Sequence, residues 1–226
     1  MTVAAPRPPG GTRANALLRC GEVAGPLFIA TFLLDGATRP GYDPRRHPVS
    51  SLALGPHGWT QTVNFAVSGL LYLGFAAGLR LAQHAATKPD GSPLLIGAAT
   101  VGLIGAAAFT TDPVSGYPPG TPDAIVAYTP AGALHDLFSM PTFLGLPAAA
   151  LVCARPCWQR GDRRWAAYSA GSGLAMIFSF VLASAAFNQV PRLVNIGGLL
   201  QRASIIIGFS WLTALSIRVS AASHQR

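Results

Sequence analysis

Residues 166–187 read AAYSAGSGLAMIFSFVLASAAF, a run without one charged side chain. As a helix rising 1.5 Å per residue it would extend about 33 Å, enough to cross the hydrocarbon core of a bilayer. Arg163, Arg164 and Trp165 precede it, as basic and aromatic anchors do at a membrane boundary. In lipid a segment of this length must satisfy its own backbone, so it reads as a transmembrane helix.

Five other stretches have the same character: 17–35, 61–82, 93–111, 131–154 and 199–219. The expectation is an all-α integral membrane bundle of six transmembrane helices over 17–219, with a disordered cytoplasmic tail at 1–16 and a short one at 220–226. Local signals mark the boundaries. Thr60 is placed to cap the second helix, Thr129-Pro130 supplies a cap and a first-turn proline for the fourth, and Asp112-Pro113 stops the third. Small residues recur at helical spacing: Ala167, Gly171, Ala175, Ser179 and Ala183 on the fifth helix, Gly74 and Gly78 on the second, Ala98, Gly102 and Ala106 on the third. Such stripes let helix backbones approach closely, and they offer faces for a homo-oligomer.

Composition agrees with this reading. Of 226 residues 50% are hydrophobic and 11% charged, and the mean hydropathy is +0.41, too apolar for an ordinary soluble domain. The net charge of +8 comes from basic residues scattered over termini and loops without a nucleic-acid motif, so the expected partners are membrane lipids and not nucleic acid. Eleven Lys and Arg fall in the termini and the loops on their side, against five in the other three loops. Both termini are therefore expected in the cytoplasm, in a multi-pass protein of the cell membrane. Cys20, Cys153 and Cys157 all lie at cytoplasmic helix ends, which argues against disulfides. Lys88 is the single lysine beside fifteen arginines, and Ala and Gly abound, a bias that fits a GC-rich bacterial genome.

The chemistry-bearing residues gather on the opposite side. The first outer loop carries Asp35, Arg46, His47 and Ser50, and at about 25 residues it is longer than a connector requires, so it is expected to fold over the helix ends. Facing it are Asp112 and Tyr117 of the second outer loop, His135 and Asp136 inside the fourth helix, and Gln201 and Arg202 opening the sixth. Ionisable groups at that depth are costly unless paired or turned to a cavity, which makes His135, Asp136 and Arg202 functional candidates. Ion pairs between Asp136 and Arg202, or Asp35 and Arg46, would satisfy them structurally instead. No HxxxH or HExxH spacing calls for a metal and no motif calls for a cofactor.

Residues 42–54 (YDPRRHPVSSLAL), 132–139 (GALHDLFS) and 198–202 (GLLQR) resemble the family catalogued as domain of unknown function 998, multi-pass prokaryotic membrane proteins. The likeness runs from about residue 20 to 219. It implies a six-helix membrane bundle and assigns no activity.

The leading expectation is an outward-facing polar pocket that binds a lipid headgroup or small amphiphile. Arg46, His47 and Arg202 would meet an anionic group, above a floor of His135 and Asp136. The rival is a membrane-embedded lipid hydrolase or transferase, with or without a metal, with His135 or His47 as general base and Asp136 among the candidate catalytic residues. A small-molecule transporter ranks third, because the inner halves of the helices carry almost no polar residue beyond Glu22.

Overall fold

The computed structural model describes residues 10–84 and 90–224. Of the described residues 77% are helical, and the only bridge between extended segments among them pairs Val114 with Tyr117. Six helices follow one another: α1 (Gly10–Thr38), α2 (Trp59–His84), α3 (Ser92–Ala108), α4 (Pro130–Gln159), α5 (Arg163–Phe187) and α6 (Gly197–His224). Short 3₁₀ turns at Val49–Ala53 and Val194–Ile196 interrupt the loops before α2 and α6. α1, α2, α4, α5 and α6 are long and apolar enough to cross a membrane, and α3 is a shorter apolar helix.

Each helix packs on the next, and α6 closes back onto α1, which makes a ring of six antiparallel helices. Aromatic side chains fill its interior. Phe28 meets Phe209 at 4.8 Å and Phe65 at 5.6 Å between ring centroids, and Tyr72 meets Phe209 at 5.1 Å. Leu34, Leu70, Leu137 and Phe178 instead point outward and are exposed. On a water-soluble protein that belt would be an aggregation liability; on a membrane protein it is the lipid-facing surface.

Several boundaries differ from the sequence expectation. α1 begins at Gly10, so the described part of the expected tail is helical, and α6 continues to His224. Residues 1–9 of that tail lie outside the described residues. Thr129 caps α4 as expected, its hydroxyl accepting from Gly132 N–H at 3.0 Å behind Pro130. Thr60 does not cap α2; it lies inside the first turn, and its hydroxyl donates to Asp35 Oδ2 at 2.7 Å. α3 ends at Ala108, before Asp112-Pro113, because Phe109 is extended. His135 supplies the cause: its Nδ1 bonds the carbonyls of Phe109 (2.9 Å) and Ala106 (3.1 Å), satisfying acceptors that the last turn of α3 leaves orphaned.

The small-residue stripes are realised unevenly. Gly74 and Gly78 do face α1, where Leu17, Leu18 and Cys20 approach, and Gly102 and Ala106 are buried. Ala98 is exposed and Ala99 takes its place in the contact. On α5, Ala183 is buried as expected and Ala175 and Ser179 are part-buried, but Ala167 and Gly171 face outward, with open space around Gly171, and the buried face of the first half carries Ala166, Ser169 and Gly173.

Candidate functional site

The loops 39–58, 109–129 and 188–196 cluster at one end of the ring, where the candidate residues separate into a roof and a cavity beneath it. The roof is the first loop, docked on the start of α6. Gly198 N–H donates to Arg46 O (3.1 Å) and Leu199 N–H to Arg45 O (3.0 Å), so the loop carbonyls satisfy the free donors of the helix N-terminus. Gln201 Oε1 accepts from Val49 N–H at 2.7 Å. Arg202 is buried, and its Nη1 donates to Pro44 O (2.7 Å), His47 O (3.0 Å) and Gly198 O (3.1 Å) while Nη2 donates to the Tyr42 hydroxyl. The guanidinium also lies over the rings of Tyr42 and Phe32, at 5.4 and 5.8 Å. A Cβ on Gly198 would come within 2.5 Å of His47 O and 2.6 Å of Pro44 O, so glycine is what admits the loop this closely.

Tyr42, His47 and Tyr117 form an aromatic trio with centroids 5.2 to 5.4 Å apart. Burial pushes the Tyr42 phenol up to about 12 against the lowering effect of Arg202, so it stays protonated and donates to Pro48 O at 2.8 Å. Burial likewise holds His47 below the ordinary histidine value, against the opposing pull of Asp43. Its Nδ1 accepts from Asp43 N–H at 2.9 Å, a bond that requires the unprotonated nitrogen. Arg46 pairs with Asp123 at 2.7 Å, tying the second loop to the first. Asp35 pairs with Arg39 (2.8 Å) and not with Arg46, and Arg39 also donates to the carbonyls of Leu54 and His57.

The cavity has a volume of about 460 Å³. Of the candidates, Ser50, Asp112, His135, Asp136 and Gln201 line it; Asp35, Arg46, His47, Tyr117 and Arg202 do not. Arg46, His47 and Arg202, expected to meet an anionic ligand, do not line this cavity: Arg46 pairs with Asp123, and Arg202 donates to the roof carbonyls and the Tyr42 phenol. The structural alternative, an Asp136 to Arg202 pair, is not formed among the described residues, because Arg202 has found carbonyls and a phenol instead. Asp112 accepts from Thr129 N–H (2.9 Å) and the Thr129 hydroxyl (2.7 Å), which places a negative charge at the N-terminus of α4.

His135 is 2% exposed. Two carbonyls fix its Nδ1 as the donor, since a carbonyl only accepts, and Nε2 is the ring nitrogen left to an occupant of the cavity. Asp136, half-buried beside it, has no hydrogen bond or ion pair among the described residues. Polar residues not singled out from sequence complete the lining: Thr111, Tyr128, Ser139, Thr142, Ser184, Asn188 and Gln189. A signal for two of them existed. Ser139 lies four residues beyond His135 and Asn188 four beyond Ser184, the spacing that puts both members of each pair on one helix face. Phe28, Phe65, Phe143, Phe180, Phe187 and Phe209 form the apolar part of the wall. Among the described residues no three His, Cys, Asp or Glu side chains stand together as a metal site would require.

No curated protein and no solved structure matches this chain. The family described as protein of unknown function (DUF998) matches residues 23–218, most of the chain and all three of the motifs that build the roof and the cavity wall. The chain belongs to the DUF998 family.

Proposed function

We propose that all six helices cross the cell membrane with both termini in the cytoplasm, and that the cavity binds a lipid headgroup or small amphiphile from the extracytoplasmic side. The observation that carries this reading is the division of the cavity wall into a polar part (Ser50, Asp136, Asn188, Gln201) and a part built of phenylalanines. Ligand sites of this size combine an apolar wall with a few placed polar groups. Two facts support the topology. α3 has 17 residues, within the range that spans a bilayer, and it packs between α2 and α4. Two of the five arginines at the loop-rich end, Arg39 and Arg202, are buried in local contacts, which deepens the charge asymmetry between the two ends.

Reporter fusions at the C-terminus and within residues 115–124 should report opposite sides of the membrane, and the same side for both would overturn the topology. Binding is tested with a twelve-carbon alcohol carrying a photoreactive diazirine. Irradiation of the purified protein should give adducts at Met140, Phe143 or Ile205 that excess unlabelled dodecanol suppresses and that Ser139→Trp abolishes without lowering thermal stability. Adducts confined to the lipid-facing Leu137 and Leu144 would defeat the reading.

A second reading is a lipid hydrolase or transferase with His135 as general base. It is favoured by the fixed tautomer, which presents an unprotonated Nε2 in a cavity that also holds Ser50, Ser139 and Ser184.

A further inference from the structure

We propose that the polar head of the cavity's occupant is a protonated amine, held between Asp136 and His135 Nε2. The inference rests on the amphiphile reading above and names the head that would be recognised.

Charge is the first ground. The ionisable side chains lining the cavity are Asp112, His135, Asp136 and the phenol of Tyr128, and no Lys or Arg is among them. Of the five arginines at this end, Arg39 is paired with Asp35, Arg46 with Asp123 and Arg202 with the roof carbonyls, while Arg45 and Arg192 are exposed and do not line the cavity. An anionic head would therefore meet carboxylates with no cation to offset them. A cationic one would supply the counter-charge that Asp136 lacks.

Hydrogen bonding is the second and independent ground. His135 is 98% buried from solvent, counted from its 2% exposure, and its ring lines the cavity with Nε2 unpartnered among the described residues. Because Nδ1 must carry the proton to serve the two carbonyls, Nε2 of the neutral ring is an acceptor and asks for a donor. Asp136 also accepts only, when ionised. Ser139, four residues from His135 and three from Asp136, adds a hydroxyl that accepts as readily as it donates. A primary ammonium presents three N–H donors and suits this set; a carboxylate, phosphate or sulfate presents none.

The walls are the third ground. Six phenylalanines border the space, and aromatic faces attract cations that have left water. An alkyl or aryl chain attached to the amine would occupy the same apolar wall, so one molecule uses both parts of the cavity.

The experiment is competition against the diazirine alcohol by three twelve-carbon molecules differing only in the head: dodecylamine, dodecanol and dodecanoate. Dodecylamine should suppress the cavity adducts at about one-tenth the concentration that dodecanol needs, the effect of one hydrogen bond to a charged group, and dodecanoate should be the weakest. Asp136→Asn, nearly isosteric, should abolish the preference, bringing dodecylamine down to the potency that dodecanol shows in the same variant. Equal potency of the three heads, a preference for dodecanoate, or an amine preference that survives in Asp136→Asn would each overturn the proposal while leaving amphiphile binding intact. Absence of any cavity adduct with the parent alcohol would remove the amphiphile reading and this one with it.

Discussion

Arg202→Leu is expected to destabilise the protein by about 3 kcal/mol, a drop of roughly 6 to 12 °C in the unfolding temperature for a domain of this size. The side chain makes four hydrogen bonds, to Pro44 O, His47 O, Gly198 O and the Tyr42 hydroxyl, and it is buried. Leucine conserves much of the volume and leaves those acceptors without a donor, and each orphaned buried group costs about 1 to 3 kcal/mol. The loss should be local before it is global. Limited proteolysis in detergent should cut within residues 42–54 of the variant while the wild-type loop is protected. Arg202→Lys should recover less than half of the stability, because a compact ammonium cannot serve three carbonyls on one side and a phenol on the other as the guanidinium fork does. A variant with unchanged protection and stability within about 0.5 kcal/mol would mean that the roof does not depend on this residue.

Gly102→Ala is expected to cost about 2 kcal/mol, within the usual range for overpacking. A Cβ there would stand 2.3 Å from the carbonyl oxygen of Phe138 and 3.2 Å from Pro141 Cβ. Backbone cannot swing aside as a long side chain can. α3 would have to withdraw from α4 against the bond from Thr142 Oγ1 to Ala99 O, 2.9 Å. Gly97→Ala on the same helix is the control. Nothing lies within 4 Å of the added carbon, so that variant should be neutral or gain up to about 1 kcal/mol from helix propensity. Thermal unfolding of the pair separates packing from propensity, and equal effects would refute the close α3 to α4 contact.

The three motifs that carry the family likeness acquire a common explanation. Residues 42–54 and 198–202 are the two halves of one joint, in which loop carbonyls meet helix donors, Gln201 and Arg202. Residues 132–139 hold the cavity side of the same end, with Gly132 leaving room for Asp112, whose Oδ2 would lie 2.0 Å from an added Cβ, and His135 closing α3. His135 therefore has two edges with different duties, one terminating a helix and one facing the cavity.

The sequence by itself determined the all-helical membrane architecture, the existence and order of the helices, and the end at which polar chemistry collects. Runs of apolar residues and the caps at Thr129-Pro130 are local signals, and each helix in lipid must satisfy its own backbone, so local signals suffice. The same signals misplaced Ala98 by one position and, with Ala167 and Gly171, chose the outward face of the first half of α5, because a stripe of small residues states that a close contact is possible and not which neighbour takes it. Partner choice was decided only by the tertiary structure. From sequence, Asp136 and Arg202 are two opposite charges beginning facing helices, and a pair is the economical guess. In the fold, a loop 155 to 160 residues earlier in the chain brings carbonyls and a phenol to Arg202 before any carboxylate reaches it. Asp136 and His135 are left lining the cavity, and that cavity follows from where six helices meet in a ring, which no local run of residues encodes.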